Sequence, residues 1–497
     1  MHLIQSHHIN FSCYEKALAM QVKEQLPIVL QQEFYPKLEK LLDRYDRADQ
    51  VHEIAKLLVK ISVVNPKDWK NDLIQQGIDQ ITAFLKSQQF KNSLTILDKE
   101  TREHAEVVTK TRSAHLQELF LDYLKKGVLP SNAIVQSLGE LLQKVKLDAK
   151  FSAQLLELLS EKNTTLLRWF LNIPEQVKEV FIARQELDFD QAQIATVMKA
   201  LSCMEIREVL GVNSDYKLKE FVTFLYWNYM VKRNIQASFY QKTANELKTI
   251  AQAYFGIPLV FFKTVISKFY NQDFGAKNSF EHYVYTVSEQ LIETTNSQGD
   301  LQTVFEEFND LQRGKNGVTL VKESAIEKLV DGVFIKNAGL ILLHPFLFPL
   351  FKKLGYLRDR EWKSTQLQHR AVLITQYLVN FENAVEESEL LFNKLLCGVP
   401  QTAPIAINWT IDPEEERQCR SLLESVIEHW KILKKTSPEG LQHTFLQREG
   451  KLTKLKNGNY QLTVSQTGVD VLLDQLPWGL GMIKTPWMEH FIDCIWN

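Results

Sequence analysis

Between residue 114 and about residue 330 the chain reads as one helix after another, each roughly ten to twenty residues long. The breaks are short: Gly127 with Pro130, Asn172 with Pro174, Gly211 to Ser214, Gly256 with Pro258, and Asn296 to Asp300. Connections this brief leave each helix packed beside its neighbour, so antiparallel helical hairpins are expected. No fixed repeat period is present, which argues against a named solenoid class. The apolar stripes are mixed and aromatic, as in FVTFLYWNYM at 221–230, and lack the sustained a/d heptads of a coiled coil. A chain meant only as a rod would not need so many Phe, Tyr and Trp.

The flanks differ from this body. Residues 2–13, with Ile4, Ile9 and Phe11, suit a short strand. Leu18, Val22, Leu26, Leu30, Phe34, Leu38, Leu41 and Tyr45 then follow helical spacing, interrupted by Pro27 and Pro36. Each proline lacks the amide needed mid-helix, so kinked or consecutive helices are expected. HEIAKLLVKISVV predicts a second strand, and Asn65-Pro66-Lys67-Asp68 has the chemistry of a helix start. The charged stretch from Asp98 to Ser113 reads as a linker or solvated helix and a boundary.

In the last third, Asp412-Pro413-Glu414-Glu415 opens a helix with Cys419, Leu422, Leu423, Val426, Trp430 and Leu433 on one face. Ser437-Pro438-Glu439 starts another. Lys451 to Leu455 and Tyr460 to Val464 flank KNGN, whose Asn457-Gly458 favours a two-residue hairpin turn. The expected class is mainly α with minor β (α+β). Its three parts are an N-terminal strand-helix-strand unit at 1–98, a helical-hairpin body at 114–330, and a compact, mostly helical C-terminal domain at 331–497 containing the β-hairpin.

Composition narrows the function. With 45% hydrophobic and 24% charged residues the chain is an ordinary globular one. A formal net charge of −2 gives no long-range attraction for nucleic acid or anionic lipid, so neither is expected as a partner. Five cysteines without CxxC spacing read as reduced thiols. The opening MHLIQSHHINFS has no secretory pattern. No run approaches the roughly eighteen uninterrupted apolar residues of a membrane span; the best, Ala338 to Phe351, is broken by His344, Pro345 and Pro349. The expected location is the cytoplasm, unless a larger assembly carries the protein out.

Candidate chemistry falls short of complete motifs. The second histidine of H-E-x-x-H after His52-Glu53 would fall at Lys56, and His2, His7 and His8 lack a further ligand of defined spacing. Cys397 in LLCGVP becomes a nucleophile only if His344 or His429 approaches it; a buried structural thiol is the alternative. Gly314-Lys315-Asn316-Gly317 lacks the rest of a phosphate loop, and the lysines at 352–353, 434–435 and 451–456 read as solvated faces. No catalytic, cofactor-binding or metal-binding residue is assigned. The closing LPWGLGMIKTPWM carries more. Pro477 and Pro486 constrain a ribbon from which Trp478, Met482, Ile483, Trp487 and Met488 project. Those side chains either plug the domain's own core or anchor a partner.

Several segments, in order, resemble the tape measure proteins of contractile injection systems, the phage-tail-like particles of bacteria. They are Asn337-Ala338-Gly339 leading to His344-Pro345-Phe346-Leu347, Lys394-Leu395-Leu396-Cys397-Gly398, His429-Trp430, Thr436-Ser437-Pro438-Glu439-Gly440-Leu441, Phe445-Leu446-Gln447-Arg448, and Leu476-Pro477-Trp478-Gly479 with Pro486-Trp487-Met488. LFLDYLKKGVLP at 119–130 is similar to a further element, and so is the approach to Tyr35-Pro36; KLLVKISVV departs from the acidic, glycine-ended strand of the family. The resemblance implies a non-enzymatic structural protein that sets inner tube length and contacts inner tube and baseplate proteins, with self-association. A compact assembly chaperone or adaptor, left out of the particle, is the alternative.

Overall fold

The computed structural model describes residues 2, 4, 7–13, 15–54, 57–63, 66–92, 107–130, 133–232, 238–270, 279–296, 332–433 and 435–496. Asn65, Gly314 to Gly317, Lys434 and the whole of 297–331 lie outside them. The protein is mainly α with minor β. It divides into two compact units: Met1–Leu119 with Asn132–Ile134 and Lys144–Lys146, and Phe120–Ser131 with Val135–Gln143 and Leu147–Asn497.

In the first unit, α1 (Lys16–Val29) and α2 (Tyr35–Asp43) are consecutive, joined by a π-turn over Leu30–Phe34. Pro27 lies inside α1, and Pro36 follows the π-turn in the first turn of α2. The apolar face pairs Val22, Val29, Phe34, Leu38 and Leu41 with Trp69, Ile74 and Ile81 of α3 (Trp69–Asn92). Residues 7–13, expected as a strand, have no strand geometry. The second expected strand is displaced: β1 is Gln50–Ile54, and its antiparallel partner β2 is Val107–Thr111, inside the stretch expected as a linker or solvated helix.

The β-branched run after β1 is satisfied in another way. Gln80 of α3 accepts from the Lys60 N–H (3.1 Å) and donates to the Lys60 carbonyl (2.5 Å). One turn earlier Gln76 does the same for Ser62, at 3.1 and 2.9 Å. Two glutamines four apart on a helix thus replace a strand's hydrogen-bond ladder, and periodicity alone cannot signal that.

Glu53 of β1 sits 3.1 Å from both the buried His115 ring and the Lys110 ammonium. The His115 ring foremost, helped by Lys110 against the opposing effect of burial, holds its carboxyl down at about 2. A depressed carboxyl contributes stability above its ordinary value of 4.5 and loses it as pH falls toward 2. Protection of the β1 amides against hydrogen exchange should therefore fall across that window, and the Glu53→Gln variant should show a flatter acid dependence than the parent. Identical acid profiles would contradict this.

The second unit holds the helical body and the C-terminal domain. Body helices run from α4 (Arg112–Lys126), within which the division of units falls, through α5 (Leu138–Lys144), α6 (Ala149–Glu161), α7 (Asn163–Asn172), α8 (Glu175–Arg184), α9 (Gln191–Leu201) and α10 (Met204–Leu210) to α11 (Ser214–Lys232). α12 (Ser238–Phe255), α13 (Leu259–Phe269) and α14 (Phe280–Asn296) follow. The aromatic run 221–230 lies on α11. Phe221, Val222, Phe224, Leu225, Tyr226, Trp227, Asn228 and Met230 are all buried, so the second half of α11 is enclosed while Asp215, Tyr216 and Lys219 of its first turns stay exposed; the helix contacts α6, α7, α9, α10, α12 and α14.

The C-terminal domain starts with β3 (Val333–Ile335) and a buried 3-10 segment, Ala338–Leu343, running into α15 (His344–Lys353). A two-strand turn, β4 (Leu357–Arg358) with β5 (Glu361–Trp362), leads to α16 (Thr365–Asn380), and α17 (Leu391–Leu396) follows. α18 (Pro413–His429) has the expected cap: Asp412 accepts from Glu414 N–H and Glu415 from Asp412 N–H, both at 2.8 Å. Its expected face is buried, Cys419, Leu422, Leu423 and Val426, followed by Trp430 and Leu433. Ser437 caps the short α19 (Pro438–Leu441), which ends in a π-turn, Gln442–Leu446.

A five-stranded sheet completes the domain, in the order β3, β6 (Gly450–Lys454), β7 (Tyr460–Val464), β9 (Ile492–Ile495), β8 (Met482–Ile483). β7 and β9 are parallel and the other neighbours antiparallel. The hairpin is where KNGN placed it, but its turn differs. Leu455 N–H donates to Asn459 C=O, Gly458 N–H to Leu455 C=O, and Gly458 adopts φ +87. Three residues, not two, make the turn, with glycine in the left-handed position that a bulged loop requires.

Candidate functional site

The ribbon singled out from the sequence is largely turned inward. Ile483 and Met488 are buried in the C-terminal core. Trp487 is half-buried; its indole donates to the Leu396 carbonyl (2.5 Å) and packs on Trp362, Phe351 and Phe348. Trp478 donates to the Leu342 carbonyl (3.1 Å) and packs edge-on against Phe346. Met482, in the edge strand β8, is 73% exposed. Beside this ribbon a surface cleft of about 580 Å³ is lined by Thr467, Asp470, Val471, Leu476, Trp478, Leu480 and Trp496 among others, with neither thiol nor imidazole in its walls.

Cys397 is fully buried, its thiol pushed well up by burial, and its side-chain partner is Thr375. The two imidazoles weighed beside it are otherwise engaged, His344 with the Ile341 carbonyl at 3.0 Å and His429 with the Ser425 carbonyl at 2.7 Å. Burial likewise pushes the Cys419 and Cys494 thiols up to about 12. The structure does not assemble a nucleophile at Cys397.

The dominant polar constellation was missed from the sequence. Glu387, wholly buried, receives Lys394 on Oε1 (2.8 Å) and, on Oε2, Arg168 Nε (3.0 Å), Asn172 (2.7 Å) and the Tyr123 hydroxyl (3.3 Å). Arg168 also donates to the carbonyls of Leu124 and Thr402, each at 2.5 Å. Burial opposes ionisation of Glu387, and Arg168 and Lys394 overcome it, so its carboxyl lies below the ordinary range. Nearby His369 is held neutral, down to about 3, by burial and then by Lys394, with its ring 4.9 Å from that of Tyr254. Tyr123, Asn172 and Arg168 come from α4 and α7, more than 200 positions from Glu387. The one local signal was Asn393-Lys394 inside the apolar run LLFNKLLC, where two polar residues need buried partners.

A second buried chain links the family-like segments. Asn337 donates to Gln376 (2.9 Å) and Asn393 (2.7 Å), and Asn393 donates to Thr375 (3.0 Å). Arg448 forms a bidentate pair with Asp470 at 2.6 and 2.9 Å and lies over the Trp496 ring. These polar groups fix one piece of chain against another. In the comparison with family models, residues 1–496 match the contractile injection system tape measure protein model, and the chain belongs to that family. Neither the curated proteins nor the solved structures give a match. Among the described residues, no single helix is long and apolar enough to cross a membrane.

Proposed function

We propose that the protein sets the length of the inner tube of a contractile particle, and that its C-terminal domain docks it to a baseplate or tube component. The supporting observation is a family match that spans the body as well as the end domain. Assembly takes place in the bacterial cytoplasm, and the protein remains inside the finished particle. The docking face is the 478–488 ribbon: Met482 is the solvent-facing anchor, Ile483 and Met488 hold the backbone beneath it, and Trp478 and Trp487 border it. Exposed methionine suits a contact that must adapt to a partner's surface.

As a single helix, residues 99–330 would span about 350 Å and the whole chain about 750 Å, at roughly 1.5 Å per residue. A body packed around α11 reaches far less, so the tape role requires either extension during assembly or a different way of counting. Burial lost on extension is replaced by contacts with the tube wall or with sister copies. Removing about forty residues from the body, and in parallel inserting forty, should shorten and lengthen the tubes by up to about 60 Å; electron micrographs showing unchanged lengths would refute the ruler. Met482→Glu should lower particle yield while leaving thermal unfolding of the free protein unchanged.

A second reading is favoured by the closed aromatic core around α11: a compact adaptor that helps assembly and is left behind. Mass spectrometry of purified particles separates the two, since an adaptor would be missing.

A further inference from the structure

We propose that the seam between the helical body and the C-terminal domain is a releasable joint, locked by the buried cluster of Glu387, Arg168 and Lys394. Its purpose rests on the tape-measure reading; its geometry does not.

The seam is polar. The apolar core of the C-terminal domain draws all its buried members from Val333 to Trp496, and among the partly buried apolar side chains of the described residues outside that range Val128 alone packs against it. What crosses instead is hydrogen-bonded: Glu387 to Arg168, Asn172 and Tyr123; Arg168 to the Thr402 carbonyl; and Gln366 to the Gln252 carbonyl at 2.5 Å. Glu386 accepts from the N–H groups of Leu138 (2.5 Å) and Gly139 (2.9 Å). The Tyr254–His369 ring contact is the main addition.

Such a seam behaves differently from a shared hydrophobic core. Opening it returns the charges of Glu387, Arg168 and Lys394 to water, which recovers the desolvation penalty that offsets much of their attraction. Both apolar cores stay closed, so separation exposes little oily surface. Closed, the cluster accepts one arrangement only, because a displaced partner leaves a buried charge unpaired. A body that must lengthen beside an end domain that must stay folded needs a joint of this kind.

Hydrogen exchange read by mass spectrometry on the full-length protein tests the proposal. In Glu387→Gln, two buried cations lose their counter-charge. Amides at 124–139 and 366–370 should exchange at least about tenfold faster, while those of 347–351 and 422–426 keep wild-type protection. Unchanged exchange in Glu387→Gln, or equal acceleration across the C-terminal core, would each overturn the joint. These measurements need no particle, so failure here leaves the ruler standing, and tubes of fixed length would leave the joint standing.

Discussion

Gly339→Ala is expected to abolish folding of the C-terminal domain. The 3-10 segment Ala338–Leu343 lies directly on the backbone of the π-turn, and a Cβ at Gly339 would sit 1.6 Å from the Phe445 carbonyl oxygen and 2.7 Å from Leu446 Cα. Those atoms are backbone and cannot rotate away. Their neighbours hold them further, since Ala338 N–H donates to the Arg448 carbonyl at 2.9 Å. Separating the two segments by more than an ångström would break that bond and open the core beneath, a loss above about 4 kcal/mol. Soluble yield and the cooperativity of urea unfolding check this. An alanine variant unfolding at the parent's midpoint would show that the two segments do not touch.

Trp430→Ala should cost about 3–5 kcal/mol. Trp430 is fully buried at the end of α18, with its ring 4.7 Å from Phe445 and its indole N–H donating to the Leu472 carbonyl at 3.3 Å. Truncation leaves a large cavity and an unpaired carbonyl together. Trp430→Phe, which keeps the ring contact and loses the hydrogen bond, should cost less than half as much. Urea midpoints of the two variants measure both, and a loss below about 1 kcal/mol in the alanine variant would contradict the packing.

Local chemistry accounts for what could be read without coordinates. The Asp412 cap, the buried face of α18, the Ser437 start and the KNGN hairpin depend on residues within a few positions of one another. So did the aromatic run of α11, although its enclosure by six helices was not visible in the run itself. Misplacements came where long-range partners decide. Lys60 and Ser62 sit in a stretch of strand composition, yet their backbone groups are satisfied by Gln80 and Gln76 of a helix. Val107–Thr111 looked like a linker because its strand partner lies more than fifty positions earlier. The Glu387 cluster draws on α4, α7 and α17, and no spacing rule joins them. Trp478 and Trp487 were visible as anchors; that each hands its N–H to a carbonyl of its own domain was not.

The parallel pairing of β7 with β9 has a consequence for synthesis. β9 lies between β7 and β8, so the sheet begun at Val333 gains its fourth member only when Ile492–Ile495 arrives. At about 5–20 residues per second, roughly 1–6 s separate the emergence of β7 and β9 from the ribosome. During that interval β7 waits with an open edge, while the helices encoded earlier have time to close around α11.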